Sequence, residues 1–173
     1  VAGSWKLTSE GLTGAPEGGP ARLTIPVLPE GNYDLLVEFT RATSFLTVGV
    51  ILPVGERQCL AAFNFRGGPS GLDMIDNRRA SNNSSTFAGA LANDRKYAAE
   101  ISVRTAGQDA AVTVKLDGRP LLFYRGPVSS LELAPEWRIP HGKCIGLGTE
   151  AGVLYHSVQL KMVAGQAKII VWR

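Results

Sequence analysis

The stretch Val112-Thr-Val-Lys-Leu-Asp-Gly-Arg-Pro-Leu-Leu-Phe-Tyr-Arg125 decides the fold. Val112, Val114 and Leu116 point one way while Thr113, Lys115 and Asp117 point the other, the period-two alternation of a half-buried strand. Asp117-Gly118 then supplies the positive φ angles of a two-residue hairpin turn, and Pro120–Arg125 returns as the partner strand. Tyr97–Thr105 and Val153–Val163 repeat the alternation. So does Tyr33–Arg41, with Tyr33, Leu35, Val37 and Phe39 on one face and Asp34, Leu36, Glu38 and Thr40 on the other.

Outward from this hairpin the chain reads as strand after strand. Phe45–Leu52 is nearly all apolar, which predicts a central strand covered on both faces. Pro53-Val-Gly55 turns it into Glu56–Phe65. Trp5–Thr8 and Arg22–Ile25 are short strands separated by the Gly/Pro-rich turn Gly11–Pro20, and Pro26 and Pro29 interrupt pairing before the next element. Leu72–Ile75 and Cys144–Thr149 complete the set, and Ser130–Trp137 holds one turn of helix. Ten or eleven short strands with no three-turn amphipathic helix predict an all-β fold, an antiparallel two-sheet jelly-roll sandwich. Residues 1–165 form the single domain, and 166–173 are an edge strand or C-terminal extension.

At 173 residues, 45% hydrophobic and 19% charged, the chain can bury a core without staples. No apolar run reaches the roughly 18–20 residues of a membrane span, so membrane insertion is not expected. The net charge is +3 and the basic residues are dispersed; Arg78-Arg79, with Arg66 upstream, is balanced by Asp73 and Asp76. Nucleic-acid binding asks for a basic stripe interleaved with aromatics, and none is present. Val1 in place of Met points to a piece of a longer or processed protein with other domains. Cys59 and Cys144 read as small buried thiols, with a disulfide between facing strands as the alternative in an exported domain. His141 and His156 lack the spacing to join them around zinc.

Catalytic motifs fail on context. Gly146-Leu-Gly-Thr-Glu-Ala151 matches the dinucleotide fingerprint by letters, but a strand follows it, so no helix N-terminus receives a pyrophosphate. Those glycines serve close packing or a bend instead. Cys144 and His156 could face one another, yet His156 shares the parity of Leu154, Val158 and Leu160 and reads as a hydrogen-bonded histidine at the core edge. Glycosidase chemistry needs two carboxyl groups about 5–9.5 Å apart. No strand presents such a pair: Asp73 and Asp76 fall on opposite faces, and Glu132 and Glu136 flank a proline in a loop.

The positive signal is the polar segment holding Asn64, Arg66, Asp73, Asp76, Arg78, Arg79, Asn82 and Asn83. Planar hydrogen-bonding groups beside an aromatic ring suit a sugar, whose hydroxyls both donate and accept. Trp137, Tyr124 and Trp5 are the available rings. The plainer reading is a solvated loop with an Asp–Arg brace. Asp73 or Asp76 with nearby carbonyls could also ligate calcium, the one cofactor expected if any.

Four segments together carry a resemblance: Tyr33–Arg41, Ser70-Gly-Leu-Asp-Met-Ile-Asp-Asn-Arg-Arg-Ala80, Val112–Leu122, and Ile145–Thr149 with Val153–Val158. They resemble the concanavalin A-like lectin/glucanase (laminin-G-like) superfamily, and within it domains of planctomycete bacteria related to the 3-keto-disaccharide hydrolase domain. The resemblance implies a curved jelly roll holding a glycan on a concave face or rim loops. The Glu-x-Asp-x-x-Glu signature of the glucanases is absent. The expectation is therefore a non-catalytic carbohydrate-binding module of a larger exported or cell-envelope protein, hence extracytoplasmic. Its site lies between Asn64–Asn83 and Tyr124, Trp137 and Glu150. Asn64, Asp73, Asp76 and Arg79 bond hydroxyls, Arg66 and Asn83 lie alongside, and Trp137 is the stacking ring. A glycoside hydrolase or lyase acting on (keto-)disaccharides, and an interaction domain with no small-molecule site, are the alternatives.

Overall fold

The computed structural model describes residues 1–171. Twelve strands run in the order β1 (Ser4–Thr8), β2 (Gly11–Ala15), β3 (Ala21–Thr24), β4 (Val27–Thr43), β5 (Val48–Val54), β6 (Arg57–Phe63), β7 (Gly71–Asp73), β8 (Lys96–Ala106), β9 (Asp109–Leu116), β10 (Arg119–Pro127), β11 (Gly146–Thr149) and β12 (Gly152–Ile169). They form a seven-stranded sheet, β1-β2-β12-β4-β8-β9-β10, and a five-stranded sheet, β3-β11-β5-β6-β7. All pairings are antiparallel. The fold is the all-β jelly-roll sandwich expected.

Inward side chains of the two sheets make one core. Tyr33, Leu35, Val37 and Phe39 of β4 meet Val48, Val50, Leu52 and Val54 of β5. Buried hydroxyls tie the layers: Tyr33 donates to the Pro53 carbonyl (2.7 Å), and Tyr155 donates to the Gly49 and Gly148 carbonyls (both 2.9 Å). Each satisfies a polar group that burial would otherwise penalise. Asp117 (φ 51°) and Gly118 (φ 75°) make the reversal that opens the decisive hairpin.

Three local expectations need correction. Gly11–Ala15 is a strand, not part of a turn, because Leu12 packs on the core and the segment bridges β1 to β12. Pro29 does not interrupt pairing: β4 runs through it, at a level where β12 is a neighbour and β8, which pairs only from Tyr33 onward, is not. Phe45 and Leu46 lie outside β5 and are exposed. Residues 166–169 are the end of β12, paired with Val27–Glu30, and Trp172 and Arg173 lie outside the described residues.

The outer faces of the two sheets differ. On the five-stranded sheet, Ile51, Leu60 and Ala62 point outward and are roofed by Leu133, Ala134, Trp137 and Ile139 from the β10–β11 connection, with Phe65 and Ala80. This second cluster closes that face. The glycines of β11 serve close packing, as their sequence context implies: a Cβ at Gly148 would sit 2.8 Å from the Trp137 ring, and one at Gly146 3.0 Å from Ile51 and Ile139. Among the described residues, the outer face of the seven-stranded sheet has no such roof.

Candidate functional site

Most of the polar segment is structural. Asn64 is buried in a left-handed conformation (φ 57°), donating to the Phe45 carbonyl (2.5 Å) and accepting from the Leu91 amide (3.0 Å). It fastens two loops and cannot reach a ligand. Asn64→Ala removes both bonds and places a Cβ-bearing residue without a local hydrogen bond in the left-handed region. The expected cost is about 2–3 kcal/mol, read as a drop in the urea midpoint at unchanged slope. Asn83 is a similar hub: its amide donates to the Leu72, Arg78 and Arg79 carbonyls and its oxygen accepts from Ser85. Asp76 stands on an exposed turn at φ 47°.

Trp137, the ring expected to stack on a sugar, and Tyr124, expected beside it, do not face solvent. Trp137 is 0% exposed and Tyr124 5% exposed. Trp137 is drawn into the roof of the five-stranded sheet, where outward apolar residues need cover. Tyr124 is an inward position of β10, its hydroxyl bonded to the Pro127 carbonyl at 2.7 Å.

Arg66, Asp73, Arg79 and Glu150 do come together, joined through Glu136, which the sequence left in a loop. Arg79 donates to Asp73 Oδ1 (2.8 Å) and to Glu136 Oε1 (2.6 Å), and Arg66 meets the same Glu136 oxygen at 3.2 Å and Glu150 at 3.8 Å. Both guanidiniums lie against the Phe65 ring. Glu150 also accepts from the Thr47 hydroxyl, and Arg22 donates to the Glu136 carbonyl. Burial pushes the Asp73 carboxyl up, and the Ala80 amide and Arg79 only partly offset it. Burial also raises Glu136, but the Arg79 hydrogen bond, with Arg66 nearby, outweighs it and leaves that carboxyl below its usual range. The acids and bases are thus engaged with one another, a brace pinning the roof to the sheet. Among the described residues no group of three or more His, Cys, Asp or Glu side chains gathers that could hold a metal ion.

The unroofed face is different. Its side chains are the outward half of the alternation, set in rows by strand register. One row is Lys161, Asp34, Ser102, Thr113 and Phe123, each directly opposite the next across β12, β4, β8, β9 and β10. A second runs Gln159, Leu36, Glu100 and Lys115. A third places Arg104 and Arg125 on either side of Ala111. Short side chains in the middle and long ones at the margins leave depressions of about 500 Å³ over Asp34, Leu36, Glu100, Ser102, Gln159 and Lys161. Another, of about 400 Å³, lies over Asn32, Arg104, Asp109, Ala111, Phe123 and Arg125.

Donors and acceptors on this face are held in place. Asp34 accepts from Ser102 (2.7 Å) and Arg104 (2.6 Å), Arg104 also donates to the Tyr33 carbonyl, and Glu38 pairs with Lys96 (2.9 Å) and Ser157 (2.9 Å). Burial raises the Asp34 carboxyl, but the hydrogen bonds from Ser102 and Arg104 win and lower it, so it is ionised at neutral pH. His156 is the extra residue of a bulge between Tyr155 and Ser157 and shares a hydrogen bond with Thr40 (2.9 Å); the bulge overturns the parity read from sequence. Phe123 is 58% exposed, a bare ring among these polar groups. None of these residues was singled out in the sequence as a site. The polar half of each alternating strand is a legible surface, but Phe123 is not: a bulge between Pro120 and Leu122 shifts the register and sets it opposite Thr113 rather than the buried Val112.

No family model and no curated protein matches the sequence. Among solved structures the chain is similar to a Bacillus subtilis protein of unknown function with a galectin-like fold (TM-score 0.65, 11% identity, covering 92% of this chain and 86% of that one). It is also similar to a legume lectin-like domain from Entamoeba histolytica (TM-score 0.58, 11% identity, 94% and 89%). A third is the Crh5 transglycosylase, solved in complex with NAG (TM-score 0.57, 11% identity, 94% and 77%). These likenesses, all at 11% identity, establish the fold alone, a jelly-roll sandwich of the kind seen in galectin-like and legume lectin-like domains.

Proposed function

We propose that this chain is a carbohydrate-binding module that holds an uncharged, hydroxyl-rich glycan on the open face of its seven-stranded sheet. The observation that carries the reading is the row Lys161–Asp34–Ser102–Thr113–Phe123, where fixed donors and acceptors end on an exposed ring. Four interstrand steps of about 4.8 Å make this row about 19 Å long, the reach of several linked pyranose rings. Two ion pairs lie within the face, Asp34 with Arg104 and Glu38 with Lys96. Paired charges present hydrogen-bonding atoms but little net field, which favours neutral sugars over polyanions. Phe123 takes the stacking role first assigned to Trp137.

The module belongs in a larger exported or envelope protein, outside the cytoplasm, where polysaccharides are met. Among the described residues no helix is long and apolar enough to cross a membrane. The test is a glycan array followed by calorimetric titration. Binding of at least one neutral oligosaccharide, with chemical-shift changes on β4, β8, β9 and β10, is the expected outcome. An array with no hit, or shifts confined to the Arg66–Glu136 side, would end the proposal.

A second reading is the alternative raised from sequence, a glycoside hydrolase or lyase acting on (keto-)disaccharides. Its support is that Glu136 and Glu150 both approach Arg66, two carboxylates around one guanidinium. Turnover of a 3-keto-disaccharide that is lost in Glu136→Gln and kept in Phe123→Ala would favour it over the binding module.

A further inference from the structure

Beside β10, the last strand of the seven-stranded sheet, the chain leaves a second ring uncovered. Phe87 is 46% exposed and faces Phe123 across a groove of about 320 Å³ that also contains Pro120, Leu121, Ser84 and Thr86. An isolated exposed apolar side chain calls for no explanation, but two rings bordering one groove do.

The segment carrying Phe87 is held firmly. The Phe87 amide donates to the Ser70 carbonyl (2.8 Å) and its carbonyl accepts from the Ser70 amide (2.9 Å). Thr86 Oγ1 donates to the Ala80 and Asn83 carbonyls and accepts from the Asn83 amide. Ser85 in turn receives the Leu72 amide. The backbone is therefore locked while the ring remains in solvent, a preorganised arrangement that loses little entropy when something settles on it.

Continuity identifies the occupant. Phe123 borders both this groove and the depression holding Arg104 and Arg125, so the groove extends the open sheet face. At the level of Lys161 and Gln159 the described residues form no end wall, because β2 pairs with β12 only at Val153–Tyr155 and β12 is there the edge of the sheet. A groove of this size accommodates one or two pyranose rings, whereas a stable protein partner needs about 800 Å² on each side.

We propose that the Phe87–Phe123 groove is a further glycan subsite, so that the module grips the interior of a polysaccharide chain rather than a terminal sugar. This rests on the reading of the sheet face as glycan-binding. The chain enters over β12, crosses to Phe123 and leaves over Phe87.

The test uses cello-, laminari-, xylo- and manno-oligosaccharides as disaccharides and hexasaccharides, titrated against the wild type, Phe87→Ala and Phe123→Ala. Both side chains are largely exposed, and a thermal melt confirms that each variant is folded. The expected result is one hexasaccharide series bound about ten-fold more tightly than its disaccharide. Phe87→Ala weakens the hexasaccharide and leaves the disaccharide affinity unchanged, while Phe123→Ala weakens both. Hexasaccharide affinity unaltered by Phe87→Ala but lost in Phe123→Ala overturns the subsite and leaves the sheet-face reading standing. A concentration-dependent dimer in sedimentation that Phe87→Ala dissolves also overturns it, making the groove a contact between copies. No binding of any hexasaccharide overturns both.

Discussion

Trp137→Ala is expected to lower the unfolding free energy by about 3–5 kcal/mol, the cost of emptying a fully buried aromatic site that cannot collapse. The ring lies against Gly148, whose missing Cβ leaves the room it fills, and against the outward apolar side chains of β5 and β6. Three arginines hold the roof in place around it: Arg22 through the Glu136 carbonyl, and Arg66 and Arg79 through its carboxylate. With so rigid a frame the cavity persists. Trp137→Phe is milder, because it also deletes an indole N–H that has no hydrogen-bond partner among the described residues, and about 1–2 kcal/mol is expected. Urea unfolding measures both. Sugar affinity, measured where each variant is still folded, stays at the wild-type value, and loss of affinity without loss of stability would return Trp137 to the binding site.

Phe123→Ala is the mirror image. The ring is 58% exposed, so its removal changes stability by no more than about 0.5 kcal/mol. As the one bare ring in the row from Lys161, it supplies the apolar platform for a pyranose, and its truncation is expected to weaken glycan binding at least about ten-fold. Titration of both variants against one oligosaccharide separates the two tryptophan and phenylalanine roles in a single experiment. Equal affinity of Phe123→Ala and wild type would remove the open face as the site.

The contrast shows where inference from sequence stopped. The near-continuous apolar run Phe45–Leu52 announces a strand covered on both faces, and the structure agrees over Val48–Val54. A strand covered twice requires a second cover besides the partner sheet. The segment Leu131-Glu-Leu-Ala-Pro-Glu-Trp-Arg-Ile139 is the apolar loop able to supply it. Assigning Trp137 to solvent left that requirement unmet. Asn64 and Asn83 misled in another way, since a polar side chain that satisfies loop carbonyls has the same composition signature as one that binds a hydroxyl.

What the residues alone determined was pleated structure: alternation sets which side chains share a face, and Asp117-Gly118 fixes the first pairs of one hairpin, Leu116 with Arg119 and Lys115 with Pro120, because both depend only on neighbours along the chain. Which face is roofed and which is open was decided in three dimensions. That depends on where the β10–β11 connection lies and on how far β2 reaches along β12, contacts between residues distant in sequence whose pairing no local periodicity encodes.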